Sequence, residues 1–119
     1  MAEAIEIQKI LINEFGGLHG IRDLALLESA IFRPQTGYYN GIIEEAAALM
    51  ESLAKNHAFI DGNKRISFVL TDIMLSANGL SLDVNPLDAH AFIEGALDRH
   101  EFNFPTICEW LASVTAPHE

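Results

Sequence analysis

The chain carries one cysteine, Cys108, and few cations: seven Lys and Arg stand against seventeen Asp and Glu. A single thiol permits no intrachain disulfide and no cysteine zinc cluster, which fits a reducing cytoplasm. The net charge of −10 argues against nonspecific binding to nucleic acid or to an anionic membrane. No run approaches the ~20 apolar residues of a membrane span, and Met1-Ala2-Glu3-Ala4 lacks the basic and apolar regions of a signal peptide, so a cytoplasmic protein is expected. Also missing are a Gly-x-x-x-x-Gly-Lys-Ser/Thr loop, Gly-x-Gly-x-x-Gly, a Gly-x-Ser-x-Gly elbow and His-Glu-x-x-His. Their absence removes the commonest phosphate-loop, dinucleotide, serine-hydrolase and zinc-protease readings.

What is present is apolar and periodic. With 119 residues, 50% of them hydrophobic, the chain suffices for one core and one domain, 1–119. Glu3 to Glu14 is amphipathic and stops at Gly16-Gly17; Asp23 caps a helix running to about Phe32, with Pro34 ending it. Ile42 to Asn56 and Asn63 to Ala77 form a central pair, the second carrying Ile66, Phe68, Val69, Leu70, Ile73, Met74 and Leu75 as a mostly buried helix ended by Asn78-Gly79. Leu80 to Val84 alternates like a strand but has no evident partner, and reads equally as an extended link. Asn85-Pro86 opens a helix to about Leu97, and Phe104-Pro105 opens a short last one through Val114. Cys108, between Ile107 and Trp110-Leu111, belongs to its core side. With no repeat, low-complexity tract or linker, the expected fold is all-α: a compact single-domain bundle of about six helices.

The densest chemistry lies at the join of the central pair, His57-Ala58-Phe59-Ile60-Asp61-Gly62-Asn63-Lys64-Arg65. The helix starting at Asn63 offers unpaired N–H groups in its first turn. Lys64 and Arg65 occupy that turn, where the helix dipole makes positive charge unfavourable by roughly 0.3–1 kcal/mol each. The misplacement makes sense if a polyanion binds there. Histidine ionises closest to neutrality of all side chains, which suits His57 as a general base toward a hydroxyl. A lone carboxylate such as Asp61 beside a phosphate site is a common way to hold Mg²⁺, which shares its ligands between protein, water and phosphate. Phe59 pins the loop, and Gly62 permits close backbone approach.

Each piece has a plainer reading: His57 as a cap or core residue, Asp61-Gly62-Asn63 as an ordinary turn and helix start, Lys64-Arg65 as a solvated pair. Their joint spacing and the dipole conflict favour chemistry. Charge agrees, for the window 55–65 is +2 while the remainder is −12. A local positive site in an acidic body favours a small anionic ligand over a long polyanion.

His57-x-Phe59-x-Asp61-Gly62-Asn63-Lys64-Arg65 resembles the signature loop of the Fic/Doc superfamily, more closely its Doc branch, the death-on-curing toxins of bacterial toxin–antitoxin pairs. Gly16 to Asp23, Leu26 to Ala30, Arg33-Pro34-Gln35 and Ala47 to Asn56 extend the resemblance across most of the chain. Fic proteins that transfer AMP usually carry Gly where this chain has Lys64 and a second Arg where it has Phe68, and both differences point to Doc. The resemblance implies transfer of the γ-phosphate of ATP to a hydroxyl of a translation factor, with elongation factor Tu the expected target. It implies His57 as base, Asp61 as Mg²⁺ ligand, Asn63, Lys64 and Arg65 as phosphate and transition-state contacts, and Phe59 and Gly62 as parts of the nucleotide-binding loop. Ile66-Ser67 departs from the family's usual Thr-Ala, past the phosphate contacts.

By the same resemblance, Arg33 to Gly41, with Tyr38 and Tyr39, occupies the place of a flap that aligns the target by strand addition; a plain loop fits the residues equally well. Self-restrained Fic proteins carry Ser/Thr-x-x-x-Glu-Gly/Asn, but here Glu94-Gly95 has His90 at the Ser/Thr position. Control in trans is therefore expected, by a Phd-like antitoxin whose C-terminal segment folds on binding. His19, His90, His100 and His118 show no ligand spacing, and His90 and His100 with Glu94 and Asp98 read as a solvated helix face in preference to a second site. The rival functions are AMP transfer to a protein hydroxyl and a catalytically idle nucleotide- or partner-binding module, against which the intact His57 and Asp61 argue. Homo-oligomerisation is left open.

Overall fold

In the computed structural model, which describes residues 2–117, three of the helices begin at a side-chain cap. Helix α1 spans Ala2–Phe15 and α2 spans Leu24–Phe32, the latter capped by Asp23, whose carboxylate accepts from the Leu26 N–H at 3.1 Å. A single 3₁₀ turn, Arg33–Gln35, follows because Pro34 cannot continue the α-helical ladder. Helices α3 (Gly41–Lys55) and α4 (Asn63–Ala77) form the central pair. Asn85 and Asn103 cap α5 (Pro86–Asp98) and α6 (Phe104–Val114), each accepting an N–H three residues on. These six helices bear out the all-α expectation, and a radius of gyration of 13.4 Å is that of one globule of this length.

Helix α3 is the axis. Its residues 46–50 and 52–54 are all buried, so it has no solvent stripe in that stretch. Ala46, Ala47, Met50 and Ala54 face Leu75, Ile93, Ile107 and Leu111, whereas Leu49 and Leu53 face Leu27, Phe59, Ile66 and Leu70. Alanines let neighbours approach on both sides, and α4 makes the most extensive contact. Ile73, counted among the buried residues of α4 by periodicity, is 47% exposed.

The segment without an evident partner does pair. Strand β1 (Leu80–Leu82) runs antiparallel to β2 (Thr115–Pro117), with Ser81 opposite Ala116. A three-residue strand ending in proline carries almost no sequence signal, and the pairing spans 35 positions. The expected extension of β1 to Val84 also shortens at Asp83, whose N–H closes the ladder on Val114 O at 2.6 Å.

Arg33 ties the turn after α2 to the axis. Its guanidinium donates to Tyr39 OH (2.6 Å), Glu51 Oε1 (2.9 Å) and Ser52 Oγ (2.9 Å). Burial works against its charge, but the hydrogen bonds and charges of Tyr39 and Glu51 outweigh it and hold the pKa above the ordinary arginine value. Replacing it by a residue of similar length without charge leaves Glu51, whose side chain is 15% exposed, without its cation. Arg33→Met is expected to lower stability by about 1–3 kcal/mol in urea denaturation, and Tyr39→Phe by about 0.5–1.5 kcal/mol.

Candidate functional site

The loop between α3 and α4 is held from behind. Phe59 is 1% exposed and packs among Leu27, Leu53 and Ile66. The Asn63 side chain closes on it in both directions, Oδ1 accepting from Phe59 N–H (3.1 Å) and Nδ2 donating to Phe59 O (3.0 Å). Phe59 thus pins the loop to the core, as its place in the sequence suggests. The Phe59 side chain lies in the core and does not line the cleft, and the amide of Asn63 is spent on the loop, which leaves its backbone N–H as the group available to an anion. Gly62 adopts φ +77, a left-handed conformation that opens α4 without a side-chain cap.

In front of this anchor, His57, Asp61, Lys64 and Arg65 line one cleft of about 690 Å³, together with Lys55 and, on the far wall, His90 and Leu97 of α5. His57 is exposed and has φ +52, a left-handed conformation that costs roughly 1–2 kcal/mol outside glycine. The Ile66 N–H is the first of α4 to bond back, to Gly62 O at 3.0 Å. Among the described residues no acceptor meets the N–H groups of Asn63, Lys64 and Arg65, so the helix start leaves three donors free.

Asp61 is exposed, and its carboxylate is oriented by two backbone donors: Gly62 N–H on Oδ1 (3.0 Å) and Leu18 N–H on Oδ2 (3.2 Å). Each oxygen keeps a free lone pair. Among the described residues no three His, Cys, Asp or Glu side chains cluster to hold a metal by themselves, so a cation at Asp61 would draw its other ligands from water or an anionic ligand. Lys64 Nζ reaches Glu94 Oε1 at 3.4 Å, and His90 Nε2 shares that oxygen at 3.3 Å. The Lys64 and Glu94 side chains are 42% and 48% exposed, so the pair is worth at most about 1 kcal/mol. Arg65 stacks its guanidinium 4.4 Å from the Phe15 ring centroid.

Three supporting groups escaped sequence reasoning. Gln8 is 2% exposed, and its Nε2 donates to Asp61 O at 3.2 Å; the signal was a polar residue on the apolar stripe of α1. The Gly16–Gly20 loop supplies the Leu18 donor. Arg22 donates to the carbonyls of Asn56 and His57. The wall beside the loop is thus built from 17–23, where Ile21 bridges Phe59. The proposed flap, 33–41, forms no strand and lines no part of the cleft; Tyr39 packs on Phe104 while Tyr38 is 82% exposed.

The remaining candidates sort simply. His90 belongs to the cleft wall, not to a second site with His100, which follows the Arg99 cap of α5 and bonds its N–H to Leu97 O. Burial, then the negative charges of Glu44 and Glu51, raise the Cys108 thiol, which disfavours a nucleophilic role. Ser67 is fully buried and donates to Lys64 O, so the departure at Ile66-Ser67 is locally satisfied. His118 lies outside the described residues.

Comparison with known proteins agrees with this geometry: the Fic/DOC family profile matches residues 1–75, which include the whole loop. The chain belongs to the Fic/DOC family. A protein named Toxin Doc from Mycolicibacterium smegmatis (strain ATCC 700084 / mc(2)155) is 42% identical over 73 residues, a match that covers 57% of this chain and 56% of that relative. The chain thus matches little more than half the length of that relative. Helices α5 and α6 lie beyond the Fic/DOC match, so Glu94 and His90 are features of this chain outside it.

Gly17 tests the orientation of Asp61. A Cβ there would stand 2.6 Å from Asp61 Oδ2, whereas at Gly20, with a similar φ (+126 against +117), it would meet only the tip of Ile60. Both alanine variants are expected to lose roughly 1–3 kcal/mol from backbone strain. Only Gly17→Ala should also raise the hydrogen-exchange rate of the Gly62 amide, measured by NMR.

Proposed function

We propose that the chain is the toxin of a bacterial toxin–antitoxin pair, a cytoplasmic phosphotransferase that moves the γ-phosphate of ATP to a hydroxyl of a translation factor, expected to be elongation factor Tu. The observation that carries this reading is the convergence, in one cleft of a Fic/DOC chain, of His57, Asp61 and an uncapped helix start bearing Lys64 and Arg65. The name of the relative, Toxin Doc, supports the biological role.

In this reading His57 accepts the hydroxyl proton as the hydroxyl oxygen attacks the γ-phosphorus and ADP leaves. Asp61 would hold Mg²⁺, which would supply neutralisation of charge on the phosphate oxygens. The N–H groups of Asn63, Lys64 and Arg65 cradle the anion, and Lys64 exchanges its weak contact with Glu94 for phosphate. As a point charge in the first helical turn it favours a nucleotide whose γ-phosphate faces His57; with Gly there, room opens for the α-phosphate to take that place.

Regulation in trans by a Phd-like antitoxin fits the same geometry. Among the described residues no carboxylate pairs with Arg65, and Glu94 meets Lys64 only across an exposed contact, too weak to act as an internal brake.

Transfer from γ-labelled and from α-labelled ATP to the purified factor tests the proposal. The wild type should move γ label only. His57→Ala should reduce transfer by roughly 10²–10⁴-fold with an almost unchanged melting temperature, since His57 is exposed, and Lys64→Gly by roughly 10²–10³-fold. Label from the α position would overturn the γ assignment in favour of AMP transfer, and label from neither would favour the idle binding module.

A further inference from the structure

We propose that Arg22 is the positioning residue for His57: its guanidinium fixes the backbone conformation that presents the imidazole to the cleft. The proposal rests on the reading of His57 as base, but its geometric part stands independently. Two non-glycine residues among those described have positive φ, His57 (+52) and His100 (+56), each one position beyond a helix C-cap. They are secured differently. At His100 the ordinary helix-end backbone bonds close the turn, His100 N–H to Leu97 O at 3.1 Å and Glu101 N–H to Ala96 O at 2.8 Å. No such pair closes the end of α3 among the described residues.

Arg22 takes over that task. Its Nε donates to His57 O at 2.6 Å and its Nη2 to Asn56 O at 3.0 Å. The planar fork thus spans two successive carbonyls at the negative end of α3. The next carbonyl, Ala58 O, accepts from the Arg22 and Asp23 backbone N–H groups at 2.8 and 3.0 Å. Three consecutive peptide oxygens are therefore held by two residues, and those residues are themselves set by the Asp23 cap of α2.

Arg22 is exposed, yet among the described residues it pairs with no carboxylate, in a chain with seventeen of them. It lines no part of the cleft, so it acts through His57 and not on a ligand. Lysine keeps the charge but cannot bridge two carbonyls with one nitrogen in the same geometry. Without the bridge His57 relaxes toward negative φ, and the imidazole moves relative to Asp61 and the helix start. A shift of about 1 Å suffices for on the order of 10²-fold in rate.

The experiment uses the isotopically labelled chain and the Arg22→Lys and Arg22→Ala variants. A strong intraresidue amide–Hα Overhauser effect reports positive φ at His57, with His100 as internal control. In the wild type both residues should show it. In the variants His57 should lose it while His100 keeps it, and kcat for phosphate transfer should fall about 10²-fold with KM for ATP within about twofold. If Arg22→Ala loses both signals through unfolding, Arg22→Lys decides. Retention of the His57 signal in a folded variant overturns the proposal, as does an unchanged kcat. Should the wild type show no transfer at all, the phosphotransfer reading fails, and the His57 signal alone decides whether Arg22 positions it.

Discussion

The site depends on the burial of Phe59. A loop of seven residues joins two helices that pack side by side, and it exposes His57 and Asp61 without peeling off the core. Phe59, 1% exposed, supplies the hold, and Asn63 satisfies both of its backbone groups. Burying an aromatic ring contributes about 1.5–3 kcal/mol, comparable to the strain of a left-handed His57, so the loop can keep an unfavourable backbone at one end because its middle is anchored.

Around that anchor, Asp61 and His57 are held by backbone amides and by side-chain donors to their carbonyls, not by ion pairs. Asp61 takes two N–H groups, its carbonyl takes Gln8, and His57 is steered through its carbonyl. The one ion pair in the cleft that involves a motif residue, Lys64 with Glu94, is exposed and weak. Lys64 and Arg65 therefore carry charge that no strong ion pair consumes, and in the proposed function the dipole penalty at the first turn of α4 would turn into affinity for the nucleotide's phosphates. The acidic remainder of the surface sharpens this contrast by repelling anions elsewhere.

Much of the fold was legible because its signals are local. Asp23, Asn85-Pro86 and Phe104-Pro105 mark helix starts through signals that act within a few residues, and the apolar spacing of α3 and α4 gave both elements nearly to the residue. Nonlocal pairing left no such trace. The β1–β2 ladder joins Leu80–Leu82 to the last described residues, and a run as short as Thr115-Ala116-Pro117 cannot announce a strand. The two tyrosines part company in the structure, Tyr39 bound to Arg33 and Phe104 and Tyr38 82% exposed, a difference that composition does not carry.

The sequence by itself determined which residues meet at the cleft, since His57, Asp61, Lys64 and Arg65 lie within nine positions and the helix start between them converts spacing into geometry. It also determined the sign of the site, through two cations set against a helix dipole in an acidic chain. Only the tertiary structure decided how those groups are held. Gln8, Leu18 and Arg22 come from α1 and the loop after it, 35 to 53 residues away from the groups they orient, and their roles arise from a backbone bridge, Ile21 to Phe59. The physical reason is one of range: caps, dipoles and periodicity act over a helical turn, whereas a carbonyl waiting for a donor accepts whichever residue the packing of distant helices brings to it.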